Sequence, residues 1–281
     1  MRKMDSEGQP FENIISQNLF YVDKTAFIKT WFEDAYFVIL ITRPRRSGKT
    51  MTLDMMRCFF STEYQGRSDL FQGLEIARSP EMMAIQGTVP TISLTLGGIK
   101  ATSFEAFLAS FHVVLAGLYA RFRYLTEGGK MSEQDKKTFE QVADKARFVP
   151  VRDANPGRYE AFVLECESAL AWLSEWLYGY YGKKVYILID DYDTPIHYAY
   201  QNGYHKEAMD VLRSLLGRTL KYNDYLHRAI VMGADPMGME SLDIDYLKVS
   251  SFLEGPYQDV FDLPSFPYRA DRQRDEAGRT G

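Results

Sequence analysis

Polar and apolar positions alternate along this chain with two different periods. Tyr36-Phe37-Val38-Ile39-Leu40-Ile41, Lys184 to Asp191 and His227-Arg228-Ala229-Ile230-Val231-Met232-Gly233 are near-continuous apolar runs of strand length. Such runs are expected of strands covered on both faces. Val89 to Leu96 instead alternates residue by residue and stops at Gly97-Gly98, with Pro90 suiting a strand entry or an edge. A further short strand is expected within 246–253. Between these runs the period changes to helical. Thr25 to Glu33 carries Phe27, Ile28 and Trp31 as a stripe. Gly48 to Phe60 places Leu53, Met56 and Phe60 on one face with Met55 and Phe59 beside them. A small helix is expected near Pro80 to Ile85. From Ser103 to Leu125, Phe104, Phe107, Leu108, Phe111, Leu115, Leu118 and Phe122 recur at helical spacing, a pattern that core packing explains. Thr102 and Glu105 stand at capping-box spacing before it.

The remaining segments complete the pattern. Met131 to Arg147 reads as a polar, exposed helix, Phe148 to Gly157 as a loop around Pro150 and Pro156, Arg158 to Tyr181 as an amphipathic helix, and Lys206 to Lys221 as another. Residues 1–20 read as loop-rich. The charged stretch from Tyr268 onward, which begins Tyr268-Arg269-Ala270-Asp271-Arg272, lacks periodicity and is expected to be disordered. No internal repeat is visible. Strands that alternate with helices imply an α/β fold with a mostly parallel central sheet flanked by helices.

Composition narrows the function. With 46% apolar and 25% charged residues, the 281-residue chain has the make-up of an ordinary globular domain. The net charge of −5 gives no global drive toward nucleic acid. Cys58 and Cys166 have neither metal-ligand nor disulfide spacing and suit a reducing cytoplasm. The four histidines are scattered, and no zinc site is read from them. No secretory leader is evident, and no apolar run approaches the roughly 20 residues of a membrane span.

One loop carries the chemistry. Arg43-Pro44-Arg45-Arg46-Ser47-Gly48-Lys49-Thr50 lies between the first strand and the helix that opens on Gly48. Strand, tight loop, helix is the layout of a phosphate-binding loop: N–H groups cradle phosphates, a lysine reaches the outer ones, and a hydroxyl holds Mg²⁺. Arg43 stands where the common pattern has its first glycine. Arg46, Ser47, Gly48, Lys49, Thr50 and Met51 are the candidate nucleotide contacts. About 140 residues on, Ile187-Leu188-Ile189-Asp190-Asp191 ends a second buried strand in carboxylates. Asp190 is placed to hold Mg²⁺ with Thr50, and Asp191 to orient an attacking water. A solvated acidic turn and a basic surface loop are the simpler accounts of each motif alone. The third strand ends in Met232-Gly233-Ala234-Asp235, without the Thr, Ser or Asn expected of a polar sensor. Arg43, Arg45, Arg46, Arg213 and Arg218 are equal candidates for an arginine finger, and each suits a plain surface role.

Four stretches resemble the bacterial AAA-ATPase-like P-loop family, often fused to a C-terminal PD-(D/E)XK nuclease-like domain. They are Tyr21-Val22-Asp23-Lys24-Thr25, Ile41 to Thr50, Leu188-Ile189-Asp190-Asp191-Tyr192-Asp193-Thr194-Pro195-Ile196, and Leu220-Lys221-Tyr222-Asn223 with the strand after it. In that family Arg-Pro-Arg-Arg normally replaces the first glycine. The resemblance covers about 10–265 and implies binding of ATP and Mg²⁺ at the matching positions. Asp191 departs from the usual Glu, and Met232 from the usual Thr.

The expectation is a P-loop NTPase domain over 1–267, with a helical insertion at about 100–181 and a tail at 268–281. It hydrolyses MgATP to drive or gate a conformational change, with Lys49 and Asp191 as catalytic residues, in the cytoplasm and off the membrane, acting on an unknown protein partner. The alternative is a non-hydrolysing nucleotide switch or interaction module.

Overall fold

The computed structural model describes residues 9–44, 47–236, 247–250 and 257. Its contacts divide the chain into two units: Met1–Ala35 with Arg45–Val89 and Ser250–Gly281, and Tyr36–Pro44 with Pro90–Val249.

The first unit is helical. It holds α1 (Phe11–Ser16), α2 (Ala26–Glu33), α3 (Lys49–Phe60) and α4 (Pro80–Ala84), with 3₁₀ turns at Thr62–Tyr64, Ser68–Phe71 and Glu75–Arg78. Its core is aromatic. Phe11, Phe27, Trp31, Phe59, Phe60 and Phe71 are fully shielded from solvent. Phe59 meets Phe60 and Phe71 edge-on, both at 5.0 Å, and Phe11 stacks on Phe71 at 5.4 Å. Each buried ring contributes about 1.5–3 kcal/mol, and each good ring pair a further 0.5–1.5 kcal/mol or so. Within the loop-rich stretch expected over 1–20, the short helix α1 is an element the sequence reading did not single out. Phe11 and Ile14, three apart, are its buried face, and Asp54 Oδ2 accepts from the Phe11 N–H at 2.7 Å. Six residues are too few to show a period in sequence.

The second unit carries the sheet: β1 (Val38–Thr42), β2 (Thr91–Thr95), β3 (Val185–Asp190), β4 (Leu226–Gly233) and β5 (Leu247–Ser250), in the order β2-β3-β4-β1-β5. The first four strands in that order run parallel, as the near-continuous apolar sequences of β1, β3 and β4 predict, with the alternating β2 at the edge beside β3. Every residue of β3 is buried. Thr42 pairs with Gly233, Ile189 with Val231 and Thr95 with Asp190. The C-terminal ends of these four strands therefore share one edge, where open parallel sheets bind ligands.

Among the described residues this unit holds six helices: α5 (Phe104–Arg121), α6 (Tyr124–Glu127), α7 (Glu133–Ala143), α8 (Pro156–Tyr181), α9 (Thr194–Gln201) and α10 (His205–Leu216), the last running into a π turn over Gly217–Lys221. Phe107, Leu108, Phe111, Leu115 and Leu118 of α5 are buried, as its stripe predicts. The cap of α5 differs by one residue. Ser103, not Thr102, accepts from the Ala106 N–H, at 3.2 Å. The polar helix α7 is shorter than 131–147 and anchors itself through Phe139 and Val142, both buried. By length and composition alone α5 could cross a membrane, with mean hydropathy 1.2 over its 18 residues. That exceeds the sequence expectation, and burial of its stripe in the core accounts for its apolar character. The tail from Tyr268 lies outside the described residues.

Candidate nucleotide site

In the first unit the site is built around the start of α3. Gly48 adopts φ +86°, a left-handed conformation that side-chain-bearing residues rarely hold, and α3 begins at Lys49. The Gly48 carbonyl accepts from the Thr52 N–H and from Thr52 Oγ1, both at 2.9 Å. This fixes the first turn. Lys49 is buried, Ser47, Gly48 and Met51 are half-buried, and Thr50 is exposed. Ser47 Oγ is buried and has no hydrogen-bond partner among the described residues. Arg45 and Arg46 lie outside the described residues.

The Tyr21–Thr25 stretch forms a brace beside this loop. Asp23 Oδ1 accepts from the Thr25 N–H at 2.8 Å and from Thr25 Oγ1 at 2.6 Å, and its Oδ2 accepts from the Glu75 N–H at 2.8 Å. Thr25 Oγ1 in turn accepts from the Ile76 N–H at 3.1 Å. Tyr21 Oη donates to Met55 Sδ of α3 at 3.2 Å. Between these anchors, Lys24 Nζ donates to the Ser47 carbonyl at 3.4 Å. The sequence flagged this stretch only by resemblance. Asp-x-Thr, a self-capping pair ahead of a helix, was the physical signal available.

In the second unit the chemistry gathers where β3 ends. Asp190 is buried, and its Oδ1 accepts from the Asp191 N–H at 3.0 Å. Asp191 stands at φ +49°, a backbone strain that non-glycine residues adopt rarely and often at functional positions. Its carboxylate lies beside Gly97, just past β2: a Cβ built on Gly97 falls 2.7 Å from Asp191 Oδ2. Tyr192 and Asp193 turn the other way, to the chain leaving β4. Tyr192 Oη donates to the Asp235 carbonyl, and Asp193 Oδ2 accepts from the N–H groups of Ala234 and Asp235. Met232 is fully buried, so the end of β4 presents no polar side chain at that position. Arg43 is buried, and its N–H donates to the Gly233 carbonyl at 2.8 Å, extending the β1–β4 ladder by one bond. Arg213 lies 4.0 Å from Asp210, and Arg218 Nε donates to Ser214 Oγ at 3.3 Å.

No cluster of three or more His, Cys, Asp or Glu that could hold a metal occurs among the described residues. Mg²⁺ needs no such cluster, because it takes one or two protein oxygens and fills its shell with phosphates and water. The carboxylate of the buried Asp190 and the hydroxyl of the exposed Thr50 are oxygen donors of the kind it takes.

A parallel α/β sheet with a glycine-lysine-threonine helix start after its β1 strand defines a P-loop fold. The chain belongs to the AAA-ATPase-like family: the sequence model of that family, described as a predicted AAA-ATPase, matches residues 8–243. Nucleotide binding is the property that description carries. No curated protein and no solved structure matches the chain.

Proposed function

We propose that this protein is an ATPase that binds MgATP and hydrolyses it to drive or gate a conformational change. The observation that carries the reading is the start of α3: a left-handed Gly48 followed by a buried Lys49, the local geometry a phosphate cradle needs. Lys49 neutralises the outer phosphates. The N–H groups from Arg46 to Met51 line the cradle, Thr50 and Asp190 hold Mg²⁺, and Asp191 orients the attacking water. The strained backbone of Asp191 supports its role, since such strain persists where the surroundings over-determine it. The ion, when bound, neutralises charge that develops on the transferring phosphoryl group. Buried free thiols at Cys58 and Cys166 support a reducing, cytoplasmic setting. The conformational change acts on an unknown protein partner, and the net charge of −5 gives no global drive toward nucleic acid.

A second reading is a nucleotide switch that does not turn over. The buried Met232 favours it, because no polar sensor stands at that place on β4. Binding of MgATP measured beside phosphate release separates the two readings. Lys49→Ala should abolish binding. Asp191→Asn should keep binding and lower turnover by about 10²-fold or more. Binding without any turnover, unchanged by Asp191→Asn, selects the switch, and full binding by Lys49→Ala removes both.

A further inference from the structure

Lys24 reaches the phosphate loop from outside the motif that names it. Its Nζ lies 3.4 Å from the Ser47 carbonyl and 3.2 Å from where a Cβ on Gly48 would stand. Its backbone has little freedom. Asp23 and Thr25 are tied to each other and to the Glu75–Ile76 amides, and the Lys24 N–H points to Tyr21 Oη at 3.4 Å, whose hydroxyl is tied to α3. The backbone that carries Lys24 is thus held beside the loop, and from there its ammonium meets the Ser47 carbonyl.

The geometry of the peptide group gives that contact a consequence. The Ser47–Gly48 peptide is trans, so its N–H points opposite to its C=O. A cation that grips the Ser47 carbonyl therefore turns the Gly48 N–H away from itself. It also polarises the peptide and makes that N–H a stronger donor. The Gly48 N–H has no acceptor among the described residues, and the neighbouring Ser47 hydroxyl is also unpartnered there. Two donors side by side at the start of a helix, with their peptide polarised by an ammonium, call for an anion.

We propose that Lys24 is a positioning residue of the phosphate loop, which holds the Ser47 carbonyl and so aims the Gly48 N–H at the phosphates of a nucleotide. The inference rests on the nucleotide-binding reading of this loop. Loop N–H groups serve the phosphates that ATP and ADP share, so both nucleotides depend on Lys24 equally.

The test combines two measurements on wild type, Lys24→Met and Lys24→Arg. The first is affinity for MgATP and MgADP by calorimetry, beside thermal stability. The second is the Gly48 amide proton resonance in ¹⁵N-glycine-labelled protein without nucleotide. In Lys24→Met both affinities should fall by the same factor, about tenfold for loss of a charge-assisted hydrogen bond. The Gly48 resonance should move upfield, with little change in melting temperature. Lys24→Arg should retain most of the affinity. Unchanged affinity in Lys24→Met overturns the proposal while the nucleotide reading stands. A loss confined to MgATP overturns it in favour of direct contact with the terminal phosphate. If wild type binds neither nucleotide, the functional reading fails, and an unmoved Gly48 resonance then overturns the positioning role separately. If Lys24→Met does not fold, Lys24→Gln takes its place, and the same outcomes decide.

Discussion

Asp193 Oδ2 lies 2.8 Å from the backbone nitrogen of Ala234 and accepts its hydrogen bond, and it accepts a second from Asp235 at 3.0 Å. One buried carboxylate after β3 thus fastens the chain as it leaves β4. Hydrogen bonds to a charged acceptor are each worth about 1.5–3 kcal/mol, and two stranded amides cost desolvation besides. Asp193→Ala should destabilise the protein by about 2–4 kcal/mol in urea. Asp193→Asn, which keeps one acceptor oxygen, should cost clearly less. Equal midpoints for Asp193→Ala and wild type would show that the clamp carries no stability.

Tyr192 completes the clamp and sets a steric demand on Gly233. A Cβ at Gly233 falls 2.5 Å from Tyr192 Cε1, 2.8 Å from Cδ1 and 2.9 Å from Asp193 Oδ1. The ring is fully buried, and its hydroxyl is held by the Asp235 carbonyl, so it has no free direction to retreat. Overpacking of this kind costs about 1–3 kcal/mol. Gly233→Ala should lower the thermal midpoint accordingly, and Tyr192→Leu in the same chain should restore part of the loss if the ring is the cause.

The Tyr192 and Gly233 pair shows why the sequence was legible in one direction and opaque in another. The apolar runs of β1, β3 and β4 announced the sheet, because strands buried on both faces must be apolar throughout. The glycine-lysine-threonine start of α3 announced the loop, because Gly48 must take a left-handed backbone there. The roles of Tyr192, Asp193 and Lys24 depend on partners 23 to 43 residues away. Nothing local in a hydroxyl, a carboxylate or an ammonium tells which backbone group it will meet. The same limit hid α9, whose start at Thr194-Pro195 reads as a turn until Ile196 and Ala199 are seen buried. It also misplaced the exposed reading of α7, where two buried residues suffice to dock an otherwise polar helix.

Acid should destabilise this protein through His112. The ring is buried against Phe162 at 5.1 Å, with the Arg147 guanidinium nearby, itself paired with Glu165. Burial first, and the Arg147 charge second, hold the imidazole below its ordinary value despite the carboxylates of Glu165 and Asp144. The unfolded chain therefore takes up the proton first as pH falls. Stability is intact above about pH 6.5, the unfolded value, and is lost as pH drops from there toward the folded one. His227, also lowered by burial and by Arg228 and Lys184, acts in the same sense. Urea midpoints measured between neutral pH and about pH 5 should fall for wild type and fall less for His112→Gln. Parallel curves would remove His112 from the account.

Gly97 tests the proposed water-orienting role of Asp191 without touching Asp191. The built Cβ at Gly97 lies 2.7 Å from Asp191 Oδ2, 3.3 Å from Asp191 Cβ and 3.3 Å from Thr95 Oγ1. Gly97 is not among the residues with left-handed backbone, so alanine meets a steric conflict there but no conformational one. The atom it strikes is the end of a half-buried side chain, which can swing aside. The folding cost should stay within about 0.5–1 kcal/mol. The carboxylate, however, can only clear the new methyl by leaving its present place, and a displacement of about 1 Å in a group that orients a reactant costs on the order of 10²-fold in rate. Gly97→Ala should therefore bind MgATP like wild type, melt within a few degrees of it, and release phosphate roughly 10²-fold more slowly. Undiminished turnover in a variant that binds and folds normally would mean that the Asp191 carboxylate, where it lies beside Gly97, is not what orients the water.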